Sequence, residues 1–235
     1  MNCLITGASI GIGHSLALKL ASLGYNLLLT YYSNDILCSN LKKEIEEKYK
    51  VKCIIKKCDL KNEQEIRDVV LTFKNELGKM DILVNNASYS SDNLFMEKTK
   101  QEFMDVLEVN LIGTFLISQY SIPIMNKQGI IINMASTDGI DTYSIYNTDY
   151  AVSKAGIIQL TKSMSLIFND LKTVAIAPNW VSTESTLSMN QEYLEEELKR
   201  IGQKKLIDIE KVVDNIIKVI NDNNVRSGEV IKIYD

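Results

Sequence analysis

Tyr150 and Lys154 are the first residues of this sequence whose types and spacing suggest acid–base chemistry. Residues four apart on a helix lie on one face, so the phenol and the ammonium group would be neighbours. A free phenol has a pKa of about 10, and a nearby cation lowers that pKa by favouring the phenolate. The pair can then donate or accept a proton near neutral pH. Because the same spacing is common on solvated helix faces, the rest of the chain must supply a partner for that proton.

The elements that position this pair follow from an alternation of short apolar runs with longer helical patterns. The apolar runs predict strands over about Leu4–Thr6, Asn26–Thr30, Val51–Lys57, Ile82–Val84, Gly129–Met134, Thr173–Ile176 and Glu229–Ile231. The patterns between them predict helices over about Gly13–Ser22, Asp35–Tyr49, Asn62–Leu77, Thr99–Asn126, Asp149–Phe168, Gln191–Ile201 and Ile209–Ile220, with an irregular segment from Pro178 to Asn190.

Strands that are apolar throughout and separated by helices are typical of a parallel sheet covered on both faces. The pattern predicts an α/β fold, a doubly wound or Rossmann sheet of about seven strands with helices on both faces. Because the chain has 235 residues and no repeat or linker, we interpret residues 1–235 as a single domain. Its cofactor half would cover about residues 1–130, and its substrate and catalytic elements about residues 131–235.

Composition argues against several classes of function. A net charge of −4 with only three arginines does not suit a nucleic-acid-binding surface. No apolar run reaches the roughly 20 residues that span a bilayer, and no signal peptide is evident, so we expect a cytoplasmic protein without a membrane partner. The four cysteines show no CxxC spacing and His14 is the only histidine, so we expect reduced thiols and no metal site.

A glycine-rich turn, Thr6-Gly7-Ala8-Ser9-Ile10-Gly11-Ile12-Gly13, lies between the first predicted strand and the first predicted helix. Ligands of a doubly wound sheet bind outside the carboxyl ends of its strands. Glycines there allow a tight turn and a close backbone approach, and the free N–H groups and the helix dipole favour a pyrophosphate. We therefore expect a dinucleotide to contact Gly7, Ser9, Ile10, Gly11, Ile12 and Gly13.

Polar residues also follow the third and fourth predicted strands. Asp59 and Leu60 follow the third strand, where the carboxylate either accepts from an adenine amino group or caps the next helix. Asn86 and Ala87 follow the fourth, where an asparagine can bond neighbouring backbone groups and hold the loops around a cofactor. For Asn86 and the preceding Asn85, structural and cofactor-binding roles remain alternatives.

Later in the chain, three more positions point to the same edge of the sheet. Asn110 interrupts an apolar helical pattern, which suggests a local kink or a bound water because asparagine is a poor helix former. Ser136 ends the fifth predicted strand, so its hydroxyl should project into the crevice. Pro178 ends the sixth, and Val181 and Thr183 follow in its loop.

These residues together resemble the short-chain dehydrogenase/reductase family, over almost the whole chain. The motifs occur in the family's order with nearly its spacing, and they are Thr6-Gly7 with Gly11-Ile12-Gly13, Asn85-Asn86-Ala87, Asn110, Ser136, Tyr150 with Lys154, and Pro178 with Thr183. No single motif is specific, but the combination is.

The resemblance implies a role for each of five residues. Tyr150 would be the general acid in carbonyl reduction and the base in alcohol oxidation, and Lys154 would lower its pKa and hold the nicotinamide ribose. Ser136 would hydrogen-bond the substrate oxygen, and Asn110 would hold a water that links Lys154 to solvent. Thr183 would contact the nicotinamide carboxamide. The implied reaction is hydride transfer between a carbonyl or secondary alcohol and NAD(P)(H).

Three features depart from the family pattern. Ser88 and Asn179 stand where the family usually has glycine, and Ser88 could crowd the cofactor. Asn179 is expected to be tolerated, since asparagine adopts left-handed conformations more readily than most residues. The family's glycine-containing C-terminal tail is curtailed, which leaves the assembly less defined than the catalysis.

The residues that end the second predicted strand bear on the choice between NAD and NADP. An acid there would bond the ribose 2′-hydroxyl and repel a 2′-phosphate. This chain instead has Tyr31, Tyr32 and Ser33, without the arginine or the basic residue at Ile10 that NADP-preferring relatives often have. The absence of a repelling acid favours NADP(H) over NAD(H).

The substrate and the assembly follow only from the resemblance. The stretch from Asn85 to Gly113 resembles 3-oxoacyl carrier-protein reductases, so an acyl thioester is one candidate, and a small ketone, sugar or alcohol is another. The two long helices would pair in a homodimer or homotetramer. A catalytically weak cofactor-binding regulatory protein is the alternative function. An epimerase or dehydratase fits less well, because those relatives usually have a longer substrate domain.

Overall fold

The computed structural model describes residues 1–143 and 145–235 and shows one parallel sheet between helices. In these residues the sheet has seven strands in the order β3-β2-β1-β4-β5-β6-β7. The strands are β1 (Asn2–Ile5), β2 (Asn26–Tyr31), β3 (Cys53–Lys57), β4 (Met80–Asn85), β5 (Met125–Met134), β6 (Lys172–Pro178) and β7 (Val230–Ile233). The helices are α1 (Gly11–Ser22), α2 (Asp35–Tyr49), α3 (Glu63–Leu77), α4 (Lys100–Leu107), α5 (Thr114–Ser121), α6 (Thr148–Ile167), α7 (Glu184–Leu187), α8 (Gln191–Ile201) and α9 (Ile209–Asn221).

The two faces of the sheet bury alternate residues of each strand. In β1, Cys3 and Ile5 belong to the core cluster under α1, α2 and α9, whereas Leu4 belongs to the cluster under α3 and α5. Side chains of a strand point alternately to its two faces, so a strand covered on both sides must be apolar throughout. The predicted doubly wound fold is confirmed, and β1, paired with both β2 and β4, lies at its switch point.

The prediction of one continuous helix from Thr99 to Asn126 was wrong, both because the helix is interrupted and because it ends earlier. A π-helical segment, Glu108–Gly113, separates α4 from α5, as the polar Asn110 in an apolar pattern had suggested. A single 3₁₀ turn, Ile122–Ile124, contains Pro123, and β5 begins directly after it. Proline has no N–H to continue a helix, and this accounts for the early end.

Several local predictions are confirmed and others shift by a few residues. Asn62 caps α3, the side chain of Thr99 makes a capping box with Glu102, and Gly24 follows α1 with a φ of 84°. The prediction was wrong in starting β3 at Val51, because the strand begins at Cys53. The segment from Pro178 to Asn190 had been predicted to be irregular, but it contains the short helix α7.

In the part of the chain that the structure describes, no helix has the length and apolar character needed to cross a bilayer. All four cysteines are buried as free thiols, with Cys53 and Cys58 in clusters on opposite faces of the sheet. Burial raises the pKa of Cys38 to about 11 and that of Cys53 to about 12, so both thiols stay protonated.

Candidate active site

The glycine turn between β1 and α1 leaves no room for side chains at two of its positions. A Cβ on Gly7 would lie 2.8 Å from the Cα of Ala87, and one on Gly13 would lie 2.4 Å from the carbonyl oxygen of Gly7. Gly7 and Gly11 also have φ values of +64° and +59°, a left-handed conformation that costs other residues energy. At these glycines the backbone of the turn therefore packs directly against the loop after β4.

Hydrogen bonds from Thr6 and Asn86 hold these two loops together. The Thr6 hydroxyl accepts from the backbone N–H groups of Asn86 and Ala87, both at 3.0 Å. The Asn86 amide donates to the carbonyl oxygens of Thr6 at 3.0 Å and of Gly7 at 2.8 Å. The sequence had identified Asn86 but not Thr6 as a site residue, although a hydroxyl at the last position before a glycine turn was a usable signal.

Ser136, Tyr150 and Lys154 line one crevice beyond the carboxyl ends of the strands. Ser136 follows β5 and accepts from the backbone N–H of Asp138 at 3.1 Å. Tyr150 lies in the first turn of α6, and Lys154 one turn later is only 3% exposed. The Lys154 ammonium donates to the carbonyl oxygen of Met134 at 2.8 Å, which ties α6 to the end of β5.

Burial shifts the pKa of Tyr150 and that of Lys154 toward their neutral forms. For Tyr150, burial and then the Asp138 carboxylate raise the pKa, while a hydrogen bond with Ser136 lowers it. Burial lowers the pKa of Lys154 to about 8. Its ammonium nitrogen lies 5.2 Å from the centroid of the Tyr150 ring. The pKa of Tyr150 is therefore raised on balance, with burial as the largest cause, and the lowering by Lys154 that the resemblance implied stays a prediction.

Asn110 lies in the π-helical segment and uses its amide to fix two neighbours. Its carbonyl oxygen accepts from the N–H of Tyr89 at 2.7 Å, and its amide nitrogen donates to the carbonyl oxygen of Tyr89 at 2.9 Å and to the Ser153 hydroxyl at 2.9 Å. Ser153 in turn donates to the carbonyl oxygen of Tyr150 at 2.7 Å. π-helical segments often occur at functional sites, and this one connects the loop after β4 to the helix that carries Tyr150.

The loop after β6 closes the other side of the crevice. Pro178 is the last residue of β6, Val181 is 6% exposed, and the Thr183 side chain caps α7 by accepting from the N–H of Thr186 at 3.3 Å. A Cβ on Gly11 would lie 3.5 Å from Thr183, so this loop approaches the glycine turn closely.

The crevice has a volume of about 460 Å³ and brings together most of the predicted site residues. Those that line it are Gly7, Ser9, Ile10, Gly11, Ile12, Asn86, Ala87, Ser136, Tyr150, Lys154, Pro178, Val181 and Thr183. Lining residues that the sequence analysis had not assigned to the site include Ser90, Met134, Ala135 and Asn147.

Seven predicted residues lie outside the crevice lining formed by the described part of the chain: Gly13, Tyr31, Tyr32, Ser33, Asp59, Leu60 and Asn110. Tyr31 packs against the core cluster, while Tyr32 is 62% exposed. Asp59 accepts from the N–H of Lys61 at 2.9 Å, and Leu60 is buried where a Cβ on Gly113 would meet it at 2.7 Å. These residues surround the site or support it from behind.

The two departures from the family's glycines are accommodated without backbone strain. In the described residues, the non-glycine positions with positive φ are Lys50 and Gln128, so neither Ser88 nor Asn179 needs a left-handed conformation. Ser88 is exposed on the crevice wall. Asn179 is buried, with its side-chain oxygen accepting from the N–H of Trp180 at 3.1 Å.

A buried ion pair that the sequence did not reveal lies directly behind Tyr150. The Lys98 ammonium is 2.8 Å from the Asp149 carboxylate, and these side chains are 4% and 0% exposed. The other Asp149 oxygen accepts from the N–H of Tyr150 at 2.9 Å. The pair connects the segment before α4 to the first turn of α6, which carries Tyr150.

Comparisons with known proteins agree with this geometry. The family model for short chain dehydrogenases matches residues 1–194. The chain is 32% identical over 235 residues to a 3-oxoacyl-acyl-carrier-protein reductase from Aquifex aeolicus, covering 98% of this chain and 94% of that protein. It is 34% identical over 204 residues to one from Staphylococcus aureus, covering 85% of this chain and 82% of that protein. A short chain dehydrogenase from Burkholderia cenocepacia in complex with NADP has the same fold, with a TM-score of 0.93 and 21% identity over 99% of this chain and 95% of that one.

The ion pair behind Tyr150 generates a stability prediction. Lys98→Met leaves the Asp149 carboxylate buried without its countercharge, and we expect a loss of about 3–5 kcal/mol in the free energy of unfolding, measured by urea denaturation. Lys98→Met combined with Asp149→Asn removes both charges and should recover most of that loss.

The exposed ion pair between Lys61 and Asp105, at 3.0 Å, is the matched control. Lys61→Met should cost no more than about 1 kcal/mol, because exposed pairs are screened by solvent. Equal losses for Lys98→Met and Lys61→Met would contradict a structural role for the buried pair.

Proposed function

Because the chain belongs to the short-chain dehydrogenase family of oxidoreductases, we propose that it interconverts a carbonyl group and a secondary alcohol with NAD(P)(H). The observation that carries this proposal is the crevice that holds Ser136, Tyr150 and Lys154 together with the glycine turn. A proton donor, a hydrogen-bonding hydroxyl and a buried cation within one crevice are what a carbonyl reduction requires of the protein.

The residues of the first half fit a dinucleotide. Gly7 and Gly11 present no side chain to the crevice at the point where α1 begins. The N–H groups at the start of this 12-residue helix have no partners within it, and they suit a pyrophosphate. Ser9, Ile10 and Ile12 would flank the phosphates, and Asn86 and Ala87 would support the adjoining ribose. The bound cofactor supplies the hydride chemistry.

The residues of the second half handle the proton. Ser136 would donate to the substrate oxygen and orient it toward Tyr150. Tyr150, whose raised pKa keeps its phenol protonated at neutral pH, would deliver the proton to that oxygen in reduction. Lys154 would hold the ribose hydroxyls and, as a cation, make the phenol a stronger acid. Asn110, whose amide bonds to Tyr89 and Ser153, would hold a water that links Lys154 to solvent.

We favour NADP(H) over NAD(H) as the cofactor. The similar structure from Burkholderia cenocepacia is a complex with NADP, and β2 ends in Tyr31 without an acid. Tyr31 is paired in register with Lys57 at the end of β3, so a cation of the neighbouring strand lies on the same face of the sheet. The end of β2 has no positive charge for a 2′-phosphate, and Lys57 would supply one.

The substrate is an acyl thioester or a small ketone, sugar or alcohol. The relatives from Aquifex aeolicus and Staphylococcus aureus are 3-oxoacyl-acyl-carrier-protein reductases, which supports the thioester. Polar side chains on the crevice wall, among them Ser136 and Asp138, support a small hydroxylated substrate. We place the reaction in the cytoplasm, since four buried free thiols suit a reducing compartment.

We also propose that two copies pair through α4, α5 and α6. Exposed apolar side chains on these helices and the π-helical segment form a surface that consists of Met104, Ile112, Phe115, Val152 and Leu166, which are 39% to 80% exposed. Exposed apolar side chains that collect on one part of a surface mark interaction sites. A homodimer or homotetramer would cover it.

Tyr150→Phe tests the proposed reaction, because it removes the proton donor and keeps the ring. We expect NADPH oxidation with activated ketones, followed by absorbance at steady state, to fall about a hundredfold or more. Tyr49→Phe, at the end of α2 and away from the crevice, is the matched control and should keep its activity. Full activity in Tyr150→Phe would refute this mechanism.

Tyr32→Arg tests the location of the 2′-phosphate pocket. A guanidinium at the end of β2 can bond a phosphate through two N–H groups, so NADPH should bind about tenfold more tightly or better in a fluorescence titration. NADH, which has no 2′-phosphate, is the internal control and should bind as before. An unchanged NADPH affinity would place the pocket elsewhere.

Phe115→Glu combined with Val152→Glu tests the assembly. Light scattering at micromolar concentration should give a multiple of 26.5 kDa for the unmodified chain and a single chain for the variant, because charges in an apolar interface are costly. Leu37→Glu changes an exposed apolar residue of α2 and should not alter the mass. A monomeric mass for the unmodified chain would contradict the proposal.

A further inference from the structure

Asp138 places a carboxyl group on the wall of the crevice beside the residues proposed to bind the reacting oxygen. It lies in a short 3₁₀ turn, Thr137–Gly139, and its backbone N–H donates to the Ser136 hydroxyl at 3.1 Å. The side chain lines the same crevice as Ser136 and Tyr150, and its negative charge acts on the Tyr150 phenol. The substituent of the reacting carbon that lies on this side of the crevice would meet the Asp138 carboxylate.

Hydrogen bonds within the loop fix the orientation of Asp138. The Thr142 hydroxyl donates to its Oδ1 atom at 2.6 Å, and the Thr142 oxygen is itself 3.0 Å from the buried Thr137 hydroxyl. A hydroxyl carries one proton, whereas a carboxylate has about four acceptor positions on two oxygens. The bond from Thr142 therefore positions the group and leaves acceptor capacity for a further donor.

The surroundings of Asp138 offer only partial compensation for its charge. Arg200 on α8 attracts it, but that guanidinium is engaged with Glu197, with nitrogen–oxygen distances of 3.0 Å and 2.7 Å, and Glu197 repels Asp138. Burial is the largest effect and raises the pKa of Asp138. Asp138 is half-buried, and removing a carboxylate from water is costly unless hydrogen bonds satisfy it, so a donor on the substrate would stabilise it.

We propose that Asp138 selects ketones with a hydroxyl group on the carbon next to the carbonyl, binding that hydroxyl as a hydrogen-bond acceptor. This inference rests on the proposed function and narrows its substrate class. The hydride and one proton would add to the carbonyl, giving a vicinal diol, while Asp138 itself exchanges no proton. A hydroxyl suits the site better than an ammonium group, because Lys154 lines the same crevice and repels a second cation.

The same carboxylate disfavours a plain acyl chain. In a 3-oxoacyl thioester the carbons on both sides of the reacting carbonyl are apolar and offer no O–H or N–H donor. Placing one of them against Asp138 would bury acceptor atoms without a partner, which costs more than a hydrogen bond gains. Sites built to bond a hydroxyl reject analogues that lack it strongly.

Hydroxyacetone and butanone test the proposal, since they differ by a hydroxyl in place of a methyl group. We expect the unmodified protein to reduce hydroxyacetone with the higher kcat/KM. The ratio of the two kcat/KM values should fall about tenfold or more in Asp138→Leu, and less in Asp138→Asn, which keeps a neutral acceptor. Any change in the pKa of Tyr150 affects both ketones alike and cancels in the ratio.

Asp141→Asn is the matched control. Asp141 lies three residues later in the same loop, is exposed and bonds to Lys232 at 2.6 Å, so its ratio should equal that of the unmodified protein. If both ketones are reduced and the ratio is unchanged in Asp138→Leu and Asp138→Asn, the selection by Asp138 is refuted while the proposed function stands. If no ketone that is tested supports NADPH oxidation by the unmodified protein, the proposed function itself fails.

Discussion

The contact between the glycine turn and the loop after β4 is the constraint on which the site depends. A Cβ at Gly7 would meet the Cα of Ala87 at 2.8 Å, and the Thr6 hydroxyl accepts from two N–H groups of the facing loop. Gly7 and the Cα of Ala87 are both backbone, so their contact cannot be relieved by a side-chain rotation. Because β1 pairs with both β2 and β4, this contact fixes the switch point of the sheet, where a dinucleotide fold opens its crevice.

The side of the crevice that carries Tyr150 and Lys154 is positioned from the neighbouring strand by buried polar bonds. Lys154 reaches the carbonyl oxygen of Met134 at the end of β5, and the Asp149 carboxylate beside Tyr150 is held by Lys98. Asn110 adds a third connection, from the π-helical segment to Tyr89 and Ser153. Buried polar bonds of this kind are costly to leave incomplete, so together they define one orientation of α6 toward Ser136.

The sequence predicted the fold and most of the crevice because both follow from local patterns. The unbroken apolar run in β2 indicates a strand buried on both faces, and the rule that ligands bind at strand ends brings Ser136 to the glycine turn. The pairing of Lys98 with Asp149 spans 51 residues and leaves no local pattern. Tyr31 was assigned to the cofactor site, but the alternation of side chains turns it toward the core. Asp138 is one of several polar residues in its loop, and the 3₁₀ turn together with the bond from Thr142 shows how its carboxylate is held.

The charges in the crevice also bear on the direction of proton transfer. Burial and the Asp138 carboxylate both raise the pKa of Tyr150, and burial lowers that of Lys154 to about 8. A phenol with a raised pKa stays protonated at neutral pH, which suits a proton donor more than a base. Oxidation of an alcohol would need the phenolate, which a raised pKa disfavours. These shifts fit the role of proton donor in carbonyl reduction that we propose for Tyr150.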